Sequence, residues 1–201
     1  PKDLDVHMSA DGAGFDCVRC HTTRAHLIAG RRYMQPAFAE RTSLIEDDQI
    51  DRISCESCHT DKPHEPDHKA NDHTDKVACQ TCHIPAVARK LPTKIWWDWS
   101  TAGKMDEQGK PYKEKAVFEV DGKEIKRPIY FTLKGDMEWV QNLEPEYFWY
   151  DGSMNYILVT DTIDPSGEVA LNMIQGGQGD PDSRIFPFKV HRGRTPYDAG
   201  N

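Results

Sequence analysis

The 201-residue chain has no apolar run long enough to cross a bilayer, no excess of basic residues, and no cysteine outside one short repeated pattern. The first absence excludes a spanning helix in this sequence. The second, a formal charge of -8, argues against a nucleic-acid partner, because such binding rests on Lys and Arg neutralising phosphates. Hydrophobic residues are also scarce, at 37% against 29% charged, which is lean for a core built from side chains alone. The start, Pro1-Lys2-Asp3-Leu4, is polar, has no initiator Met and does not read as a secretory signal, so a mature or trimmed product is expected.

What is present is more specific. All six cysteines fall in three copies of one pentapeptide: Cys17-Val18-Arg19-Cys20-His21, Cys55-Glu56-Ser57-Cys58-His59 and Cys79-Gln80-Thr81-Cys82-His83. This is the attachment pattern of c-type haem. Two thiols three positions apart on a helical turn can each bond one porphyrin vinyl group, while the next residue faces the iron. Cys17 and Cys20, Cys55 and Cys58, and Cys79 and Cys82 are thereby candidate thioether anchors, with His21, His59 and His83 as proximal iron ligands. Three disulfides, or structural zinc held by paired thiols, are the competing readings. Neither gives a reason for histidine to follow the second cysteine each time.

Three haem c groups would offset the lean composition, since each macrocycle offers a broad apolar face to pack against. They would also deepen the negative charge through their propionates. Because c-type haem is attached after export, the expected location is periplasmic or extracellular.

The chain divides by character. Residues 1–93 carry all three motifs and eight of the nine histidines, and form the expected three-haem region. Residues 22–29 and 36–41 read as short helices, the second opened by Pro36. Residues 61–75, rich in Pro, Asp, His and Asn, read as a loop held by iron ligation rather than by packing. Residues 94–201 form a haem-packing region with β-hairpin elements, expected to continue into further sequence. Ala116-Val117-Phe118-Glu119-Val120 and Lys123-Glu124-Ile125-Lys126 flank Asp121-Gly122, a two-residue hairpin turn. Residues 156–160 and 168–171 are further strand candidates around the turn at Asp164-Pro165-Ser166-Gly167, and residues 176–181 are loop. The expected fold class is a multihaem cytochrome c, with short helices and irregular loops around the haems and a small β-containing C-terminal half.

Beyond the motifs lie six more histidines. An iron that only transfers electrons commonly takes a second axial ligand, and imidazole is the ligand this chain has in excess. His26 follows His21, and His64 follows His59, by five residues, an awkward span for reaching the far face of the same haem. Each is better placed to ligate a neighbouring haem. His7 and His73 precede attachment sites on short tethers. His7, His26, His64 and His73 are therefore the leading distal candidates. His191 could cap a haem brought in from further sequence, and His68 is the weakest of the six. His64, His68 and His73 could alternatively hold zinc, though without a regular helical context. Met8 and Met34 lie near the motifs but read as packing residues. The tryptophans of Trp96-Trp97-Asp98-Trp99 and the run Tyr147-Phe148-Trp149-Tyr150 suit packing against porphyrin edges. Asp161, Asp164 and Glu168 could offer oxygens to calcium, although Asp-Pro-Ser-Gly is an ordinary turn sequence.

Several longer runs point to a family. Asp5-Val6-His7, Cys55-Glu56-Ser57-Cys58-His59-Thr60, Cys79-Gln80-Thr81-Cys82-His83-Ile84-Pro85, Trp97-Asp98-Trp99-Ser100-Thr101-Ala102-Gly103 and Ile185-Phe186-Pro187-Phe188-Lys189-Val190-His191 with Tyr197-Asp198 resemble the octahaem tetrathionate reductase family. The resemblance implies an exported enzyme with eight closely packed haems that reduces sulfur or nitrogen oxyanions such as tetrathionate, nitrite or hydroxylamine. The family's catalytic haem has lysine in place of the motif histidine, and none of the three motifs here does. The chain thus resembles an internal segment, with electron transfer through bis-histidine haems as its expected part. The alternative is a non-catalytic conduit, such as an extracellular cytochrome filament subunit or redox partner. Expected partners are other redox proteins or further haems of the same polypeptide, and a homo-oligomer stays open.

Overall fold

The structure is a computed structural model that describes residues 1–20 and 55–199 in full, and the backbone of residues 23–24 and 27–28. His21, His26, Met34 and the helix expected over residues 36–41 lie outside the described residues. The chain forms two compact units, one of Pro1–His83 with Tyr147–Phe186, the other of Ile84–Glu146 with Pro187–Asn201.

Among the described residues of the first unit, regular structure is sparse. A 3-10 turn spans Cys17–Arg19, and the short helices α1 (Glu56–His59) and α2 (Cys79–His83) coincide with the second and third pentapeptides. Residues 61–75 are loop and turn apart from a 3-10 turn at Lys69–Asp72, as their composition predicts. Of the helix expected over residues 22–29, the four residues whose backbone is described form strands instead, β1 (Thr23–Arg24) and β2 (Leu27–Ile28), which pair antiparallel; the others lie outside the described residues.

Two further strands of this unit, β8 (Met154–Tyr156) and β9 (Asn172–Ile174), pair antiparallel. Their positions correct the strands expected at 156–160 and 168–171. The Leu158 N–H donates to Asp161 Oδ2, while the Asp161 N–H donates back to the Leu158 carbonyl. That turn withdraws 158–161 from pairing, so the ladder moves to either side of it. Residues 176–181 are loop, anchored by Ser183: its buried hydroxyl donates to Asp180 Oδ2 at 2.6 Å and accepts from the Gly177 N–H.

The second unit is built on a five-stranded sheet in the order β11-β3-β6-β5-β4. The strands are β3 (Thr93–Asp98), β4 (Lys113–Val120), β5 (Lys123–Phe131), β6 (Gly135–Val140) and β11 (Arg192–Arg194). β4 and β5 form the hairpin expected around Asp121-Gly122, and both turn residues take positive φ, 51° and 71°, as a type I′ turn requires. At the next turn Gly135 has φ 74°, and a Cβ there would overlap the Asp98 carbonyl, so only glycine fits. β11 closes the sheet by pairing parallel to β3, which no local pattern announces. Val120, Tyr130 and Met137 are its buried apolar residues. The remaining strands, β7 (Glu146–Tyr150) and β10 (Arg184–Phe188), pair with each other.

Candidate haem sites

Each described pentapeptide winds through about one turn, so the two cysteines and the histidine project from neighbouring positions. In α1 the Cys58 and His59 N–H groups both donate to the Cys55 carbonyl, at 3.2 and 2.9 Å. Thr60, at φ 65°, ends the turn directly after His59. An ion pair between Glu56 and Arg184 fastens α1. α2 is fastened by backbone and side chain together: Ile185 N–H donates to the Lys76 carbonyl at 2.7 Å, and the Ile185 carbonyl accepts from Ala78 N–H at 3.0 Å and Thr81 Oγ1 at 2.7 Å.

All six cysteines are free of disulfides, and the second of each pair, Cys20, Cys58 and Cys82, is exposed. Burial foremost, and then the neighbouring Cys79, push the Cys55 thiol above its ordinary value. The first cysteine of the second motif and the first of the third are thus neighbours.

The histidines are brought together across motifs. His64 lies with its ring centroid 6.2 Å from that of His83, the planes 15° apart, and His7 lies 5.9 Å from His59, at 63°. A metal–imidazole bond of about 2 Å on either side, plus roughly 1 Å from nitrogen to ring centre, separates two axial imidazoles by about 6 Å. Both centroid separations are of that size. Every residue involved is on the surface or half-buried, leaving room for a macrocycle.

His64 is also set in the right tautomer. Asn71 donates from Nδ2 to the His64 and Glu65 carbonyls, and its Oδ1 accepts from the His64 backbone N–H at 3.1 Å and from His64 Nδ1 at 3.2 Å. An amide oxygen only accepts, so Nδ1 carries the proton and the Nε2 lone pair is free for a metal. His68 is the reverse. Its Nδ1 accepts from the Ala70 N–H at 3.1 Å, so the neutral ring holds its proton on Nε2. His7 sits in a turn tied by Asp5, whose Oδ1 accepts from the His7 and Met8 N–H groups, and its ring stacks on Phe15 at 6.1 Å. The two backbone hydrogen bonds hold the Asp5 carboxyl below its ordinary value. Sequence reading passes over Asn71; its one signal is a polar loop position within reach of a histidine-rich run.

Other candidates fall elsewhere. His73 is exposed at the end of the 3-10 turn, and its carbonyl caps the approach to α2 by accepting from Lys76 and Val77. His191, in the second unit, is held below its ordinary value by partial burial first, then by the Lys189 and Lys94 ammonium groups. Among the described residues no group of three or more His, Cys, Asp or Glu side chains gathers as for a metal ion. Asp161 and Asp164 each accept a backbone N–H within their own turns instead of converging on calcium. Trp97 stacks on Trp99 at 4.5 Å, and Tyr150 meets Phe186 edge-on at 5.6 Å. Among the described residues no helix is long and apolar enough to cross a membrane.

Comparison with known proteins places the chain among c-type cytochromes. Residues 94–201, more than half of the chain, match the family described as "Cytochrome c bacterial", and residues 2–84 match "Cytochrome c7 and related cytochrome c". Among solved structures, the chain is similar to the octaheme cytochrome c from Shewanella oneidensis, with 37% identity over 96% of this chain and a TM-score of 0.73. The chain spans 39% of the length of that protein. Among curated proteins, none matches it.

Proposed function

This chain belongs to the bacterial cytochrome c family and is a multihaem c-type cytochrome with covalently bound haem c; from that premise we propose that it passes electrons through three closely spaced bis-histidine haems within a larger, exported reductase of sulfur or nitrogen oxyanions, of the octahaem tetrathionate reductase kind. Haem c supplies one-electron chemistry at iron. The chain's own residues anchor, ligate and space it. Cys17 with Cys20, Cys55 with Cys58 and Cys79 with Cys82 are the anchors, and His21, His59 and His83 the proximal ligands. His7 completes the pair with His59, and His64 the pair with His83. His26 and His73 stay candidates for the first haem, and His191 for a haem carried by other sequence. Residues 1–93 make the three-haem region and 94–201 the packing region.

The observation that carries this reading is the pair of imidazole separations, 5.9 and 6.2 Å. Two occupied axial positions leave an iron no open site, which suits it to carrying electrons rather than binding substrate. The neighbourhood of Cys55 and Cys79 supports close spacing of the second and third haems. Substrate reduction then belongs to an open or lysine-ligated haem on other sequence. Turnover of tetrathionate, nitrite or hydroxylamine by the native polypeptide with reduced dye tests the reductase assignment. Electron exchange with a protein partner but no turnover would make the protein a conduit instead.

A further inference from the structure

The sheet of the second unit carries three lysines that, among the described residues, no carboxylate pairs with. A β-bulge between Lys94 and Trp96 shifts the alternation of β3, so that Lys94 shares a face with Trp97. The Lys94 ammonium lies 3.7 Å from the Trp97 ring centroid and 5.4 Å from that of Trp139. Lys134 brings a second ammonium to within 5.7 Å of the same Trp97 ring, whose Nε1–H is fixed by the Lys134 carbonyl at 2.7 Å. Lys189 adds a third, hydrogen-bonded at 2.8 Å to Thr93 Oγ1, next to Lys94 in the strand.

In a chain of net charge -8 with 33 acidic residues, each of these lysines could have been given a carboxylate. Nearby cations do have one: Lys90 pairs with Asp121, Arg192 with Glu146 and Arg194 with Asp98. Among the described residues no carboxylate forms an ion pair with Lys94, Lys134 or Lys189. Gathering like charges is unfavourable, and Lys94 is half-buried. The Trp97 ring face holds the Lys94 and Lys134 ammonium groups against that repulsion, and the Thr93 hydroxyl holds that of Lys189 beside the strand. Such an arrangement is relieved by an anion placed among them.

We propose that Lys94, Lys134 and Lys189 form a binding site for a doubly charged oxygen anion, with Trp97 and Trp139 as the surface that positions Lys94. Compact sulfur or phosphorus oxyanions have this chemistry, and so do the paired carboxylates of a haem. The site stands on the sheet of the second unit and does not depend on the histidine pairs.

The test is calorimetric titration of the haem-loaded native protein with sulfate at low ionic strength, against chloride of matched ionic strength, together with redox titration of its haems. Saturable sulfate binding that weakens about tenfold or more in each of Lys94→Gln, Lys134→Gln and Lys189→Gln identifies a site for a free anion. Absent sulfate binding, with Lys94→Gln and Lys189→Gln lowering the midpoint potential of one haem, identifies haem carboxylates as the occupant, because removing a cation favours the ferric state. Sulfate binding unchanged by all three substitutions is an adventitious ion only and overturns the proposal. So does an absence of both binding and potential shifts. Circular dichroism checks that each variant keeps its sheet.

Discussion

The imidazole of His64 stands 6.2 Å from that of His83 with the two planes only 15° from parallel. The other pair, His7 with His59, is crossed at 63°. Axial ring orientation sets the splitting of the iron dxz and dyz orbitals, because parallel rings act along one direction and crossed rings along two. Oxidised holoprotein should therefore show two kinds of low-spin electron paramagnetic resonance signal: an ordinary rhombic one from the parallel pair, and a strongly anisotropic one with a large maximum g from the crossed pair. Rhombic signals alone would remove the second assignment.

Asn71 should tune the third haem. Its Oδ1 accepts from His64 Nδ1, which makes that ring a stronger donor and favours ferric iron. Asn71→Ala should raise one midpoint potential by about 40 mV, the equivalent of a hydrogen bond worth roughly 1 kcal/mol for one electron. Asn71→Asp, with a charged acceptor, should lower the same potential. A spectroelectrochemical titration that finds both variants shifted in one direction, or neither shifted, speaks against the role.

Removing haem should unfold the first unit and spare the second. Among its described residues the first unit has one buried apolar side chain, Ala78, whereas the second has Val120, Tyr130 and Met137 on a five-stranded sheet. The burial that holds the described residues of the first unit should then come largely from the macrocycles. Replacing all six cysteines by alanine should leave a β-type circular dichroism spectrum and make residues 1–83 readily cleaved by protease. A protease-resistant first unit in that variant would contradict the account.

How much of this was legible beforehand follows from range. The anchors were plain because Cys-x-x-Cys-His is chemistry written within five residues, and the β4–β5 hairpin because Asp121-Gly122 fits one turn type. The pairing of His7 with His59 is a contact between distant parts of the chain, so spacing could nominate His7 and His64 without choosing their partners. β8 and β9 moved because the Asp161 side chain closes a turn that hydrophobicity does not register. The parallel β11–β3 pairing and the cation cluster around Trp97 depend on which strands become neighbours.

The acid side of the stability profile should report on Glu146. The Arg192 guanidinium, bonded through Nη1 at 2.6 Å and Nη2 at 2.9 Å, holds this carboxyl below its ordinary value of 4.5. A depressed carboxylate contributes stability that is present above its unfolded value and is lost as pH falls through the folded one. Arg192→Gln should lower the melting temperature at pH 7, with the gap to wild type closing as pH falls below about 4.5. The pair is partly exposed, so the shift should be small, and added salt should shrink it. A gap that persists unchanged at pH 2 would assign the effect to packing instead.

The account rests on two imidazole pairs each holding one iron, and spin state reads this directly. In oxidised holoprotein, His7→Ala and His64→Ala should each convert a different single haem from low spin to high spin, the first abolishing the strongly anisotropic signal and the second a rhombic one. Unchanged low-spin spectra in both variants would contradict it.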